Sequence, residues 1–146
     1  MALASDFVIC AEDARFQFAF RHIGLAPDGG AAYLLTRLVG LQRAKELMYS
    51  GRFVSGIEAK DLGLTLEAVP AEDVMPRAMD MARDLAAAPT LALSMMKRLF
   101  DSAPLHNLDL ALDFEASIQP LMTQTEDFKE GTSSFRERRK AVFKGA

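Results

Sequence analysis

The chain is poor in the residues that make covalent or metal-held frameworks. One cysteine, Cys10, leaves no partner for an internal disulfide and fits a reducing compartment. Two histidines, His22 and His106, stand far apart and show no metal-ligand spacing, so a structural zinc site is not expected. No apolar run approaches bilayer length, and MALASDFVIC has no basic leader and meets Asp6 early. These absences predict a cytoplasmic protein with no membrane partner and no signal peptide. The net charge of −3 offers no bulk attraction for nucleic acid. What is present is ordinary for a folded protein: 146 residues, half of them hydrophobic and a quarter charged. That length supports one domain with a real core and hardly two.

The organisation changes along the chain. Leu3 and Ala4 read as the end of a helix. Phe7 to Ala11 and Ala14 to Phe18 carry strand patterns. Asp28-Gly29-Gly30 opens a helix predicted to run to about Leu38 and to stop at Gly40, with a second helix over 41–50 ending at Gly51. Arg52 to Val54 is a predicted strand. Ser55, with Glu58 three residues on, has the form of a capping box before a short helix ending at Gly63, and Leu66 to Val69 is a further strand. From Pro70 the pattern is helical. Val74, Ala78, Met81, Ala82 and Leu85 share one face, and a second helix covers Leu91 to Phe100. Asn107 is placed to cap a third helix carrying Leu108, Ala111, Phe114, Ile118 and Leu121 on one face. Pro120 and Gly131 are expected to bend or divide this last helical region. The methionines at 75, 79, 81, 95 and 96 fall at helical spacing, as core or subunit-contact residues do. Two or three short strands cannot satisfy their own edges and need strands from elsewhere.

Within this pattern Asp28 is the acid of interest. It stands between an apolar strand and an amphipathic helix, with Leu25 and Tyr33 as apolar neighbours in sequence. An isolated carboxylate in such surroundings suits proton transfer; aspartate before Gly-Gly at a helix start is equally suited to capping. Gly29-Gly30 is not a phosphate loop, since no G-K-[ST] comes after it. At the other end, Phe135 to Ala146 carries Arg136, Arg138, Arg139, Lys140 and Lys144 against Glu137, a local +4 on a remainder of −7. Cys10 lies in an apolar strand and is expected to be inert, and His22 to be a surface or groove histidine.

The strings ASDFVICAEDARF, AFRHIGLAPDGG, LLTRLVG, GLTLEAVPAED and EDFKEGTSSFRERRKAVFKG, in this order and spacing, resemble the crotonase superfamily of enoyl-CoA hydratases and isomerases. The AFRHIGLAPDGG run is most similar to the isomerase branch of phenylacetate degradation. The resemblance implies an α/β fold built as a ββα superhelix. Members are roughly twice this length, and the likeness places this chain as their C-terminal half. Residues 1–69 would then belong to the spiral core, and 70–146 to a helical region for CoA contact and oligomerisation, as trimers or hexamers.

The resemblance further implies an acyl-CoA thioester as substrate, with no metal, nicotinamide or flavin. It makes Asp28 the proton-shuttling base, with Leu25, Gly29, Gly30 and Tyr33 at the substrate and Phe135 and Arg138 at CoA. The hydratases' second glutamate falls at Phe20, which cannot transfer a proton, and their first lies in a segment not in this sequence. Double-bond isomerisation is therefore expected over hydration. Both backbone donors of the family's oxyanion hole lie in segments outside the sequence, so turnover by the 146-residue chain itself is not expected. A non-catalytic assembly fragment or truncated homologue is the alternative.

Overall fold

The computed structural model describes residues 2–146. It forms two compact units, the first ending at Met79 and the second spanning Asp80–Ala146.

The first unit begins with a 3-10 turn at Ala2–Ala4, where the sequence suggested a helix end. Strand β1 (Ile9–Ala11) pairs in parallel with β4 (Glu67–Val69), Cys10 facing Ala68 in register. Strand β2 (Arg15–Gln17) pairs antiparallel with β3 (Phe53–Ser55), Phe16 opposite Val54. These are two separate two-stranded ribbons. Isolated ribbons of this size are marginal in water, and here they are backed by helix α1 (Ala31–Ser50) and helix α2 (Gly56–Asp61). Leu35, Ala44 and Leu47 of α1, Val54 of β3, Ala59 of α2 and Leu64 form one buried cluster. Each fully buried leucine contributes about 1.5–3 kcal/mol through water exclusion.

The two helices expected here are both present, meeting at Gly40 and labelled together as α1. Gly40, at φ 76° and ψ 162°, sits in a region essentially reserved for glycine, and α1 resumes beyond it. Gly40 thus ends the first helical segment, as a glycine stop does, and Leu35 before it and Ala44 and Leu47 after it are all drawn into the same core. Helix α2 starts as expected: Ser55 Oγ accepts the N–H of Glu58 at 3.2 Å. Glu58 itself turns to Arg52, whose guanidinium bridges Glu46 at 2.7 Å and Glu58 at 2.8 Å. Gly56 is required sterically, since a Cβ there would lie 1.9 Å from the Ala11 carbonyl oxygen.

Helix α3 (Val74–Ala86) crosses the boundary between the units and buries no residue fully. On its expected apolar face Val74, Ala78 and Met81 are half-buried, whereas Ala82 and Leu85 are exposed. Met75, Met79 and Met96 are also exposed, so the core alternative for these methionines is corrected.

The second unit holds α4 (Thr90–Ser102), α5 (Leu108–Met122) and α6 (Glu126–Glu137). Asn107 caps α5 as predicted, accepting the N–H of Leu110 at 2.9 Å. Pro120 does not divide α5, because it lies in the last turn. The chain instead breaks at 123–125, where Thr125 Oγ1 caps α6 through Phe128 N–H at 3.1 Å. Gly131 lies inside α6, beside the ring of Phe143. Ile118 is the one fully buried apolar residue among the described residues of this unit. Phe114 and Ala111 are half-buried, while Leu108 and Leu121 remain 72% and 61% exposed.

Among the described residues no helix is long and apolar enough to cross a membrane, and no group of three potential ligands could hold a metal ion.

Candidate functional site

Asp28 lies on the loop between β2 and α1. A 3-10 turn, Ala19–Ile23, ends at Gly24 in the left-handed region. The N–H of Leu25 reaches the Phe20 carbonyl at 3.0 Å and that of Gly24 reaches Arg21 at 3.3 Å, the paired bonds of a Schellman turn. Residues 25–28 continue without regular structure, and Gly29 and Gly30 both take positive φ before α1 begins.

The capping role open to Asp28 is not used. Gly30 occupies the N-cap position of α1 and no side chain caps the helix. Asp28 contributes its main-chain carbonyl instead, accepting Ala31 N–H at 2.9 Å. Its carboxylate is left for other work. The enclosed apolar surroundings expected around it are also absent. All of 21–30 is exposed, with Leu25 at 58% and Tyr33 at 45%. The reason is local: the buried face of α1 starts at Leu35, so nothing in this unit covers the loop. A shallow concavity of about 360 Å³ does begin next to the acid, lined by Phe20, Leu25, Pro27 and Tyr49 among others. Chain continuity keeps Leu25, Asp28, Gly29, Gly30 and Tyr33 on one loop–helix junction, and the ring of Tyr33 carries the Arg37 guanidinium at 3.3 Å from its centroid.

Phe135 and Arg138 belong to the second unit, at the end of α6. The Phe135 ring is 85% exposed. Arg138 takes φ 54°, the one positive φ outside glycine among the described residues. Arg139 N–H reaches Ser134 at 3.0 Å and Arg138 N–H reaches Phe135 at 3.3 Å, so Arg138 fills the place in a Schellman turn that glycine ordinarily takes. A non-glycine residue there costs roughly 1–2 kcal/mol.

The tail holds this turn in place. Arg139 pairs with Glu130 at 2.6 Å and with Glu137 at 2.6 Å. Glu130 also accepts Val142 N–H at 2.9 Å. Hydrogen bonds from Arg139, then from the Val142 amide, hold the Glu130 carboxyl down at about 2. Arg139 and Ser133 lower Glu137 as well. Further along, the buried Asp127 carboxylate accepts Lys144 N–H at 2.7 Å and Gly145 N–H at 2.8 Å. Of the basic run, Arg139 is thus a structural clasp.

Local sequence pattern carries no sign of the contacts made by Arg21, His22 and Gln17, which reach across to residues 49–51. They lie 28 to 34 positions from their acceptors. Cys10 is buried, its thiol facing Thr65 Oγ1 at 3.6 Å, consistent with an inert core position.

Known proteins share this chain's sequence and fold. A family model described as enoyl-CoA hydratase/isomerase matches residues 1–146. The chain is 37% identical over 145 residues to 1,2-epoxyphenylacetyl-CoA isomerase of Escherichia coli, covering 99% of this chain and 55% of that protein. It is 32% identical over 143 residues to crotonyl-CoA hydratase of Syntrophomonas wolfei, covering 98% of this chain and 55% of that one. The crystal structure of enoyl-CoA hydratase from Bacillus anthracis superposes with a TM-score of 0.93 at 33% identity, over 99% of this chain and 56% of that one. The chain therefore spans about half the length of the relatives it matches. Since the fold is shared at this level and every residue falls within the match, the chain has the crotonase-like α/β fold and belongs to the enoyl-CoA hydratase/isomerase family.

Proposed function

We propose that the protein takes part in moving a double bond along an acyl-CoA thioester, with Asp28 as the base. The observation that carries this reading is the Asp28 carboxylate itself, placed before α1 yet bonded to none of its amides. A 3-enoyl-CoA would give up its C2 proton to this carboxylate, leaving a dienolate, and receive the proton back at C4. Only one acid is needed, which agrees with Phe20 standing where the hydratases have their second glutamate. The base needs hydrogen-bond reach of the carbon acid, and the exposed loop leaves that approach open. Leu25, Gly29, Gly30 and Tyr33 flank the acyl group in this reading. Phe135 offers a bare ring to the adenine, and Arg138 a guanidinium fork to phosphate. The left-handed conformation of Arg138 supports that role, since such strain is retained where the side chain has work to do. A cytoplasmic address and a homotrimer or hexamer belong to the same reading.

The dienolate oxygen needs preorganised donors; losing one typically costs about a hundredfold or more in rate. No residue of this chain is assigned to that duty, so the 146 residues are proposed to be inactive by themselves. In a full-length protein carrying them, Asp28→Asn should lower isomerisation by about a hundredfold or more and leave CoA binding nearly intact. Unchanged turnover would remove Asp28 from the mechanism. A second reading, a non-catalytic assembly piece, is favoured by the openness of the Asp28 loop and by the exposed helices of the second unit. Turnover of a 3-enoyl-CoA by the purified chain would refute it.

A further inference from the structure

The Asp28 carboxylate has no partner of its own among the described residues, so its place is set by the two ends of its loop. The downstream end is the first turn of α1. The upstream end is fastened to the last turn of the segment of α1 beyond Gly40. There the carbonyls of Tyr49, Ser50 and Gly51 lack helical donors, as the last carbonyls of any helix do. Gln17 Nε2 donates to Gly51 O at 2.8 Å, and His22 Nε2 lies 3.0 Å from the same oxygen. Arg21 Nη1 donates to Tyr49 O and, at 3.4 Å, to Ser50 O. Gly51 is shaped for this contact. It takes φ 59°, and a Cβ on it would lie 2.7 Å from His22 Nε2 and 3.0 Å from the Arg21 stem.

We propose that Arg21 and His22 are positioning residues for Asp28: they latch the start of its loop onto the α1 C-terminal carbonyls and so fix where the carboxylate stands. The inference rests on the assignment of Asp28 as the base. From the latch, the Gly24 turn hands the chain directly to residues 25–28. Releasing it frees the loop at one end while leaving α1, β3 and their shared core in place. The Arg21 guanidinium against the negative end of a helix makes a favourable pairing, and the double acceptor at Gly51 holds the direction of approach. A displacement of about 1 Å at a catalytic group is enough to cost a large factor in rate.

The first test needs only this chain. In Arg21→Gln/His22→Gln, amide exchange at Gly24 and Leu25 should speed up by about tenfold or more, while Leu47 and Val54 keep their protection. Gly51→Ala should open the latch from the other side with the same pattern, and Arg21→Lys should retain much of the protection. Unchanged exchange at Gly24 and Leu25 overturns the latch. The second test is a cycle in the full-length protein. The latch variant should lower kcat by about tenfold or more with KM altered less than about twofold, and should cost nothing further in the Asp28→Asn background. An equal loss in both backgrounds would mean a general structural role and overturn the proposal. If Asp28→Asn turns over normally, the base assignment falls and takes this inference with it. That result is distinct from failure of the latch alone, in which Asp28→Asn is slow and the latch variant is fast.

Discussion

The two units spend their apolar residues differently. In the first, α1, β3 and α2 close on Leu35, Leu47, Val54 and Ala59, each fully excluded from water. In the second, three amphipathic helices bury Ile118 alone among the described apolar residues, leaving Phe100 at 76%, Leu108 at 72% and Leu121 at 61% exposed. The first unit holds itself together by packing. The second is held by polar means: caps at Asn107 and Thr125, and a tail fastened by Asp127 and Glu130. Exposed apolar faces of this size mark surfaces that belong against something. The site residues divide in the same way, since the proposed base stands on the self-supporting unit and the proposed CoA contacts on the other.

Substitutions put this contrast under strain. The greatest loss is expected in the first unit's core, where Leu47→Ala should cost about 2–5 kcal/mol in denaturant unfolding. Leu121→Ala, on the exposed face of α5, should change the stability of the chain by no more than about 0.5 kcal/mol. Comparable costs at the two positions would mean that the second unit has a core after all. At Arg138 the two demands oppose one another. Arg138→Gly should stabilise the second unit by about 1 kcal/mol by removing the left-handed penalty, while raising KM for the acyl-CoA severalfold in the full-length protein. A variant that gains stability with no loss of affinity would deny Arg138 its CoA role.

The mildest consequence is acid dependence at the tail. Because Glu130 is depressed from 4.5 to about 2, its contribution is complete above 4.5 and is lost as pH falls toward 2. Glu130→Gln should flatten that part of the curve, read from amide exchange at Val142. An identical acid profile in the variant would remove Glu130 as a clasp.

Much of this was legible in the residues. The four strands, the Ser55 and Asn107 caps and the change to helix near Pro70 arise from local pattern, and the motif order reached the family. The division of α1 at Gly40 was read there too. Two features were not. The vacancy of the Asp28 cap depends on Gly30 taking the N-cap place, a choice among three adjacent residues. The contacts of Arg21 and His22 with 49–51 depend on tertiary approach, and neither residue type signals a carbonyl acceptor so distant in sequence. The expectation of apolar surroundings for Asp28 failed for a related reason. Leu25 and Tyr33 are apolar in composition, but the face of α1 that turns inward begins at Leu35.

The role of Asp28 stands or falls on the fate of a 3-enoyl-CoA followed by liquid chromatography that separates the double-bond isomers, with mass detection, using the full-length protein and its Asp28→Asn variant. The expected product is the 2-enoyl-CoA of unchanged mass, formed rapidly by the parent and barely by the variant. A product heavier by one water, or equal rates from the two proteins, would contradict that role.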